Sequence, residues 1–397
     1  MKTSYLCLFL LIFTSGNMTA QIISPSSSSE RGKKQDRIIA QEQSLLGSIN
    51  TDNIGPSIFN GRVADIEVNP SDPTEFFVAY ASGGLWYTKN NGTTFTPLFQ
   101  HESVMTIGDI AVDWKSGTIY LGSGEQNSSR SSYAGNGLYK SSDKGKTWIH
   151  IGLDETHHIS KVIIHPDNPT IVWVAALGHL YSKNTERGVF KSENGGATWS
   201  HTLTVNDETG ASDIILHPED PNIIYASTWQ RQRSAWNFTE SGPGSAIYKS
   251  SDGGRTWLLS SGVSSGFVNG EGTGRIGLTI AVRDGKSFIY AIVDNNYRRP
   301  KEALKKTENV ISKDELKSMT KEDFLKLKEE VISKYLEDNG FPEKYKVKEV
   351  ISLVKKDKIK VSDIATYNED ANAALFDTPV IGAEVYVSTD DGKNWSK

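Results

Sequence analysis

One octet recurs along the chain and fixes most of what it can fold into. Ser141-Ser-Asp-Lys-Gly-Lys-Thr-Trp148 returns as Ser192, Asn194, Gly196, Thr198 and Trp199, and again as Ser250, Asp252, Gly254, Thr256 and Trp257. A later copy carries Ser388, Asp390, Gly392, Asn394 and Trp395, and a weaker one, Thr88, Asn90, Gly92, Thr94 and Phe95, opens the series. These residue types suit a tight hairpin turn. Asp or Asn at the third place accepts hydrogen bonds from turn amides, and glycine at the fifth supplies a left-handed backbone. The threonine re-enters a strand, and the aromatic side chain carries buried area. Repetition at roughly 50 residues points to a radial or stacked architecture.

Upstream of each octet lies a second repeating piece. Val63-Ala-Asp-Ile-Glu-Val-Asn-Pro70 leads to Phe76-Phe-Val-Ala-Tyr80, Val162-Ile-Ile-His-Pro166 to Ile171-Val-Trp-Val174, and Ile214-Ile-Leu-His-Pro218 to Ile223-Ile-Tyr-Ala226. Each reads as strand, turn, strand, and a third strand enters the octet directly. With the strand after the octet, every repeat supplies four antiparallel strands. The expected fold is therefore an all-β propeller, with blades near 58–100, 104–152, 158–204, 210–260 and 274–397. A Lys/Glu-rich stretch near 298–375 has helical spacing and is expected to form a small helical insertion. Ser312 and Thr320 stand there as helix starts, and Phe324, Leu327, Val331 and Tyr335 form one apolar stripe. Five blades are visible and the fifth lacks a strand after its octet, so the ring is expected to be completed by further C-terminal blades or by a partner.

The first 20 residues read as a signal peptide, with Lys2, an apolar run from Tyr5 to Phe13 and a small residue at Ala20. Residues 21–50 read as a polar linker. The expected location is extracytoplasmic: secreted, periplasmic or cell-surface. The single cysteine, Cys7, falls inside the signal, so no disulfide is expected. A formal net charge of −5 argues against nucleic acid as a partner, and no stretch beyond the signal is apolar enough to be a transmembrane segment.

Strand alternation puts the short turns and the octets on one face. The long loops, near 122–136, 177–187 and 228–244, fall on the other face with the links between blades, and binding residues concentrate on such loops. Ligand-binding candidates there are Gln126, Asn127, Arg130, His157, His158, Trp229, Arg231, Arg233, Trp236 and Arg275, with Glu125 and Glu271 as weak catalytic candidates. No cofactor is expected, and no metal, because no His or Cys pair stands at ligand spacing.

The octet resembles the Asp-box, or bacterial neuraminidase repeat (BNR), of sialidases, xyloglucanases, sortilin-type receptors and photosystem II assembly propellers. That resemblance implies structural roles for Asn90, Asp143, Trp148, Asn194, Trp199, Asp252, Trp257, Asp390 and Trp395. Residues 55–397 further resemble secreted bacterial proteins described as sortilin N-terminal-like (Vps10-like) or glycosyl-hydrolase-like, through Gly61-Arg-Val-Ala-Asp-Ile, Gly122-Ser-Gly-Glu-Gln-Asn127 and Phe376-Asp-Thr-Pro-Val-Ile-Gly-Ala-Glu-Val-Tyr386. Xyloglucanases keep a catalytic Asp just before a Gly-Gly pair, where this chain has Tyr80-Ala-Ser82. Sialidases carry Arg-Ile-Pro, where Gly274-Arg275-Ile276 is followed by Gly277. The expectation is a binding or assembly module for a protein, peptide or glycan. The alternative is a glycoside hydrolase or lyase acting on polysaccharide.

Overall fold

The computed structural model describes residues 21–22, 61–127, 132–299, 311–367 and 380–397. The expected signal peptide, residues 23–50 of the expected linker, and Arg130 lie outside the described residues. The chain divides into two compact units, Met1–Tyr297 with Gly382–Lys397, and Arg298–Ile381.

The first unit is all-β and built of propeller blades. Blade one runs Val63–Val68, Phe76–Tyr80, Gly84–Thr88, Thr96–Pro97, and blade two Ile107–Asp113, Thr118–Ser123, Leu138–Ser141, Ile149–His150. Blade three runs Ile159–His165, Asn168–Ala176, Gly188–Ser192, Trp199–Leu203, and Gln21–Ile22 pairs outside its last strand, Gln21 opposite Ser200. Blade four runs Thr209–Leu216, Ile224–Gln230, Ile247–Ser250, Leu258–Leu259. Blade five has three strands, Thr273–Arg283, Lys286–Arg298 and Val380–Ser388. Within every blade, strands pair with their sequence neighbours and run antiparallel. The core lies between blades, where strands such as Val172–Val174 and Tyr120–Leu121 are fully covered on both faces.

A repeated irregularity governs the hub. The innermost strand of each blade shifts register at the same place: Val63/Asp65, Ile107/Asp109, Ile159/Lys161, Ala211/Asp213 and Thr273/Ile276. The bulge leaves Ala64, Gly108, Ser160 and Ser212 outside the pairing, and the residue that follows each turns its side chain toward a neighbouring blade. Asp65 Oδ2 accepts from the Ile110 amide at 3.3 Å, Asp109 Oδ2 from Val162 at 2.7 Å, and Asp213 Oδ2 from Leu278 at 2.9 Å. In blade three the position is Lys161, which donates back to Asp109 Oδ1 at 2.9 Å. Blade three is tied onward by Ser160 Oγ, which donates to the Ala211 carbonyl at 2.7 Å. Burial alone would lower the Lys161 pKa, but Asp109, Asp65 and Asp213 outweigh it and push it up.

The octets lock the rim. Asp143 Oδ1 accepts from the Thr147 amide at 2.9 Å, and Ser141 Oγ accepts from the Gly145 amide at 2.8 Å. Asp252 with Thr256, Asn194 with Thr198, and Asp390 with Asn394 repeat this geometry. Gly145, Gly196, Gly254 and Gly392 all have φ between 78° and 89°, which the turn requires and side chains resist. Each octet tryptophan then donates to the preceding blade: Trp148 to the Leu98 carbonyl, Trp199 to Ile151, Trp257 to Thr202 Oγ1 and Trp395 to Ser260 Oγ.

The second unit holds short helices, Lys313–Ser318, Lys321–Phe324, Glu329–Asp338, Val347–Lys355 and Val361–Thr366. Ser312 and Glu315 form a capping box, and Thr320 caps the second helix through the Asp323 amide. The single apolar stripe expected from Phe324 to Tyr335 is divided. The helix ends at Phe324 and restarts at Glu329, so that Phe324, Ile332, Tyr335 and Leu336 reach one core with Val350 and Val354.

Asp109 is 2% exposed and holds both an ammonium and an amide. Asp109→Ala leaves both without a partner and is expected to cost about 3–5 kcal/mol. Asp143→Ala, in a rim turn open to water, is expected to cost about 1–2 kcal/mol. Urea unfolding of the two variants checks that order.

Candidate functional site

The long-loop face is assembled around Glu125, on the loop that follows the second strand of blade two. Arg62, placed just before the blade-one bulge, grips both oxygens of the Glu125 carboxylate. Asn127 Nδ2 donates to Glu125 Oε1 at 3.1 Å, and His158 Nδ1 donates to the Glu125 carbonyl at 2.8 Å. Glu125 is 1% exposed. A carboxylate so enclosed by a guanidinium holds the loop in place.

Blade five breaks the hub pattern and in doing so supplies a cationic group. Its bulge position is Arg275, where blades one, two and four carry Asp65, Asp109 and Asp213. The guanidinium donates to Gln126 Oε1 and, at 3.1 Å, to Asn127 Oδ1, which joins blade five to the blade-two loop. It also lies 5.5 Å from the centre of the Trp229 ring. Burial lowers the Arg275 pKa, Asp213 offsetting this in part, and an arginine stays charged regardless.

Trp229 is 5% exposed and donates from Nε1 to the Glu240 carbonyl at 2.7 Å, closing the 228–244 loop on itself. Arg231 is fully buried behind it, 5.6 Å from the indole, where burial and then Arg187 and Arg275 push its pKa down. The loop projects as a small hairpin, Gln232–Arg233 paired with Phe238–Thr239, with Arg233 stacked 4.7 Å over Phe238. Asn127, Trp229, Arg233, Phe238, Glu240, Arg275 and Asp294 line an open cleft of about 740 Å³. Burial, then Asp294, pushes the Glu240 carboxyl up, against Arg233.

Of the residues expected from sequence, Gln126, Asn127, Trp229, Arg233 and Arg275 meet at or beside this cleft. Trp236 is 89% exposed at the hairpin tip and Glu271 stands exposed on the link into blade five, both outside the cleft lining. His158 is buried beneath the Glu125 loop, while His157 turns away and stacks on His179 at 3.7 Å. Sequence reasoning missed Arg62, Phe238, Glu240 and Asp294. For Asp294 a signal existed: blade five's second strand alternates buried Ile289, Ala291 and Val293 with outward Tyr290, Ile292 and Asp294. Metal ligands were set aside on local spacing alone, yet the fold brings Glu155, His157 and His179 together with their ligand atoms within 4.8 Å of one another.

Blades, Asp-box turns and a one-sided loop cleft define an Asp-box β-propeller. Residues 136–347, more than half of the 397, match the Sortilin-Vps10 family model, described as sortilin, neurotensin receptor 3, and the chain belongs to that family. Residues 386–397 also match the BNR/Asp-box repeat. No curated protein matches the chain. Similar solved structures include an ancestral GH74 enzyme (18% identity, 60% of this chain and 32% of that one, TM-score 0.43). The GH74 xyloglucanase of Xanthomonas campestris is similar at 17% identity, over 59% of this chain and 37% of that one, TM-score 0.41. YCF48 from Cyanidioschyzon merolae is similar at 16% identity, over 62% of this chain and 70% of that one, TM-score 0.35. The chain thus spans about a third of the length of the GH74 proteins it resembles. Among the described residues, no helix is long and apolar enough to cross a membrane.

Burial, then Arg231, pushes the His158 pKa down to about 3. An unfolded histidine protonates near pH ~6.5. Unfolding therefore takes up a proton between these values, and the stability from neutral His158 is complete above ~6.5 and lost as pH falls toward 3. Between pH ~7 and ~5 the wild type should lose about 2 kcal/mol more than His158→Asn, which keeps a donor for the Glu125 carbonyl. Urea titrations at the two pH values measure the difference.

Proposed function

We propose that this propeller is a recognition module, located outside the cytoplasm, that binds a carboxylate-bearing peptide or protein segment in the Trp229–Arg275 cleft. The observation that carries this reading is the pair of guanidiniums, Arg233 and Arg275, set against the aromatic faces of Phe238 and Trp229 in one open cleft. Arginine pairs with carboxylate through two parallel N–H donors, and aromatic walls add area at small entropic cost. The family description, which names a neurotensin receptor, supports a receptor-like role. Location outside the cytoplasm rests on the order of basic, apolar and small residues at the N-terminus.

Further blades or a partner protein complete the propeller in this reading. Its support is apolar surface on the two end blades: Val63, Ile66 and Val68 are 43–52% exposed on blade one, and Tyr290 and Val385 are 40% and 57% exposed on blade five. Exposed apolar faces of this kind are what neighbouring blades cover.

A second reading, glycoside hydrolysis, is favoured by one feature. Burial, then the neighbouring Asp294, pushes the Glu240 carboxyl up, a combination that suits an acid paired with a base. One experiment separates the two. The purified protein is titrated with peptides carrying or lacking carboxylates and incubated with a polysaccharide panel, with products followed by mass spectrometry. Arg275→Ala and Arg233→Ala should each weaken peptide binding roughly 10- to 100-fold, the equivalent of a lost charged hydrogen bond. Glu240→Gln should leave it within about twofold. Glycan cleavage that vanishes in Glu240→Gln would replace the recognition reading with the hydrolytic one.

A further inference from the structure

Away from the cleft, two segments of the loop face bring three metal-ligating side chains to one point. Glu155 and His157 lie on the link from blade two into blade three, and His179 lies on the 177–187 loop of blade three. Glu155 Oε2 is 3.2 Å from His179 Nε2 and 3.9 Å from His157 Nε2. The two imidazoles stack with centroids 3.7 Å apart and planes 21° from parallel. Two donors about 2.0–2.1 Å from a single tetrahedral zinc are themselves about 3.3 Å apart. One edge of such a site is already near that length, the Glu155–His157 edge is 3.9 Å, and all three donor atoms lie within 4.8 Å of one another. We propose that Glu155, His157 and His179 form a binding site for a divalent transition-metal ion of the zinc type, with a coordination position left open to water or to a ligand.

The surroundings hold the donors in place before any ion arrives. Ser182 Oγ lies 2.8 Å from His179 Nδ1, on the ring nitrogen remote from Glu155. A hydroxyl can accept from Nδ1–H when Nε2 is a ligand, which is the supporting contact that metal-binding histidines use. Asn184 ties the two segments together: its Oδ1 accepts from the His179 amide at 2.9 Å, and its Nδ2 donates to the Glu155 carbonyl at 2.9 Å. Arg187, 1% exposed, donates to the carbonyls of Leu177, His179 and Ser182, so the loop that carries His179 is wound around a buried guanidinium.

His157 is fixed just as firmly. Its φ is +51°, a left-handed conformation that a non-glycine residue adopts at a cost. Its carbonyl accepts from the Gly135 amide at 2.6 Å. A side chain at Gly124 would put a Cβ 1.8 Å from that same carbonyl, so the close approach depends on glycine. That backbone conformation fixes where the half-buried His157 ring leaves the chain.

The donor set is two imidazoles and one carboxylate, which suits zinc, nickel, copper and cobalt better than calcium or magnesium. Three protein donors leave a fourth place on a tetrahedral ion open. The site stands apart from the Trp229–Arg275 cleft, and the inference holds whichever ligand that cleft takes.

The test uses untagged, chelator-treated protein titrated with zinc chloride by calorimetry, and with cobalt(II) followed by visible absorption. One ion per chain is expected, with cobalt d–d bands of a four- or five-coordinate site. His179→Ala should weaken zinc binding roughly 100-fold and Ser182→Ala roughly 10-fold, the range seen when ligand and supporting contacts are lost. Glu155 is 65% exposed in its side chain, so Glu155→Gln tests the site without threatening the fold and should also weaken binding. His101→Ala, on an exposed residue elsewhere, should bind as the wild type does. Absence of zinc heat and of cobalt bands would overturn the proposal, as would equal affinity in wild type, His179→Ala and Glu155→Gln.

Discussion

The bulge in each innermost strand is the constraint on which the propeller unit depends. Among the described residues no strand ladder runs from one blade to the next, and this chain has no disulfide to fix the angle between blades, since its one cysteine is Cys7. The extra residue at the bulge bends the strand and turns the side chain that follows it toward a neighbouring blade. Asp65, Asp109 and Asp213 each use that direction to accept a backbone amide across the gap. Burying a carboxylate is costly, and burial pushes the Asp109 carboxyl up accordingly. The Lys161 ammonium and the Val162 amide offset the cost, so the contact stabilises the ring only while all three groups are present.

Hub and rim divide the work between them. Carboxylates fix the inner strands, and octet tryptophans fix the outer ones by donating to the blade before. The connections on the opposite face are long, and they add links of their own between blades, Arg62 to Glu125 and Arg275 to Gln126. They still need anchors of their own. Glu125 with Arg62 supplies one, the buried Arg187 guanidinium a second, and Trp229 with the Glu240 carbonyl a third. Each anchor is a polar or aromatic group with its partner in place, Arg62 coming from blade one, so the loops on which the cleft is built present fixed surfaces.

The fold was legible because it is repetitive. The octet spacing, the Pro-Asp turns and the strand before each box gave blades whose strands the structure places at Val63–Val68, Ile107–Asp113, Ile159–His165 and Thr209–Leu216. The site was legible only in part, because loop chemistry depends on which partner each charge meets. Glu125 and Arg275 looked alike in sequence as charged loop-face residues. The structure separates them: Glu125 is enclosed by Arg62, whereas Arg275 reaches the cleft. Nothing local to Glu125 announces Arg62, which lies 63 residues earlier. Glu155, His157 and His179 escaped for the same reason, their convergence being produced by two loops rather than by one spacing.

A repeated position is most informative where the repeat fails. At the hub bulge the side chain is acidic in blades one, two and four, and basic in blades three and five. The two basic cases differ in what they meet. Lys161 turns back to Asp109 and serves the hub. Arg275 finds amide oxygens of Gln126 and Asn127 and the face of Trp229, none of which carries a charge to neutralise it. Asp213 offsets part of the effect of burial on it, and in the proposed reading this guanidinium is the group that meets an anion entering the cleft. The neighbouring dipeptide shows a similar split. His158 turns inward to hold the Glu125 carbonyl, and His157 turns outward to His179. One peptide link thus fastens the loop that carries Gln126 and Asn127 to the loop that carries the imidazole cluster. The His158 ring and the backbone between His157 and His158 set the proposed cleft and the proposed metal site in fixed register.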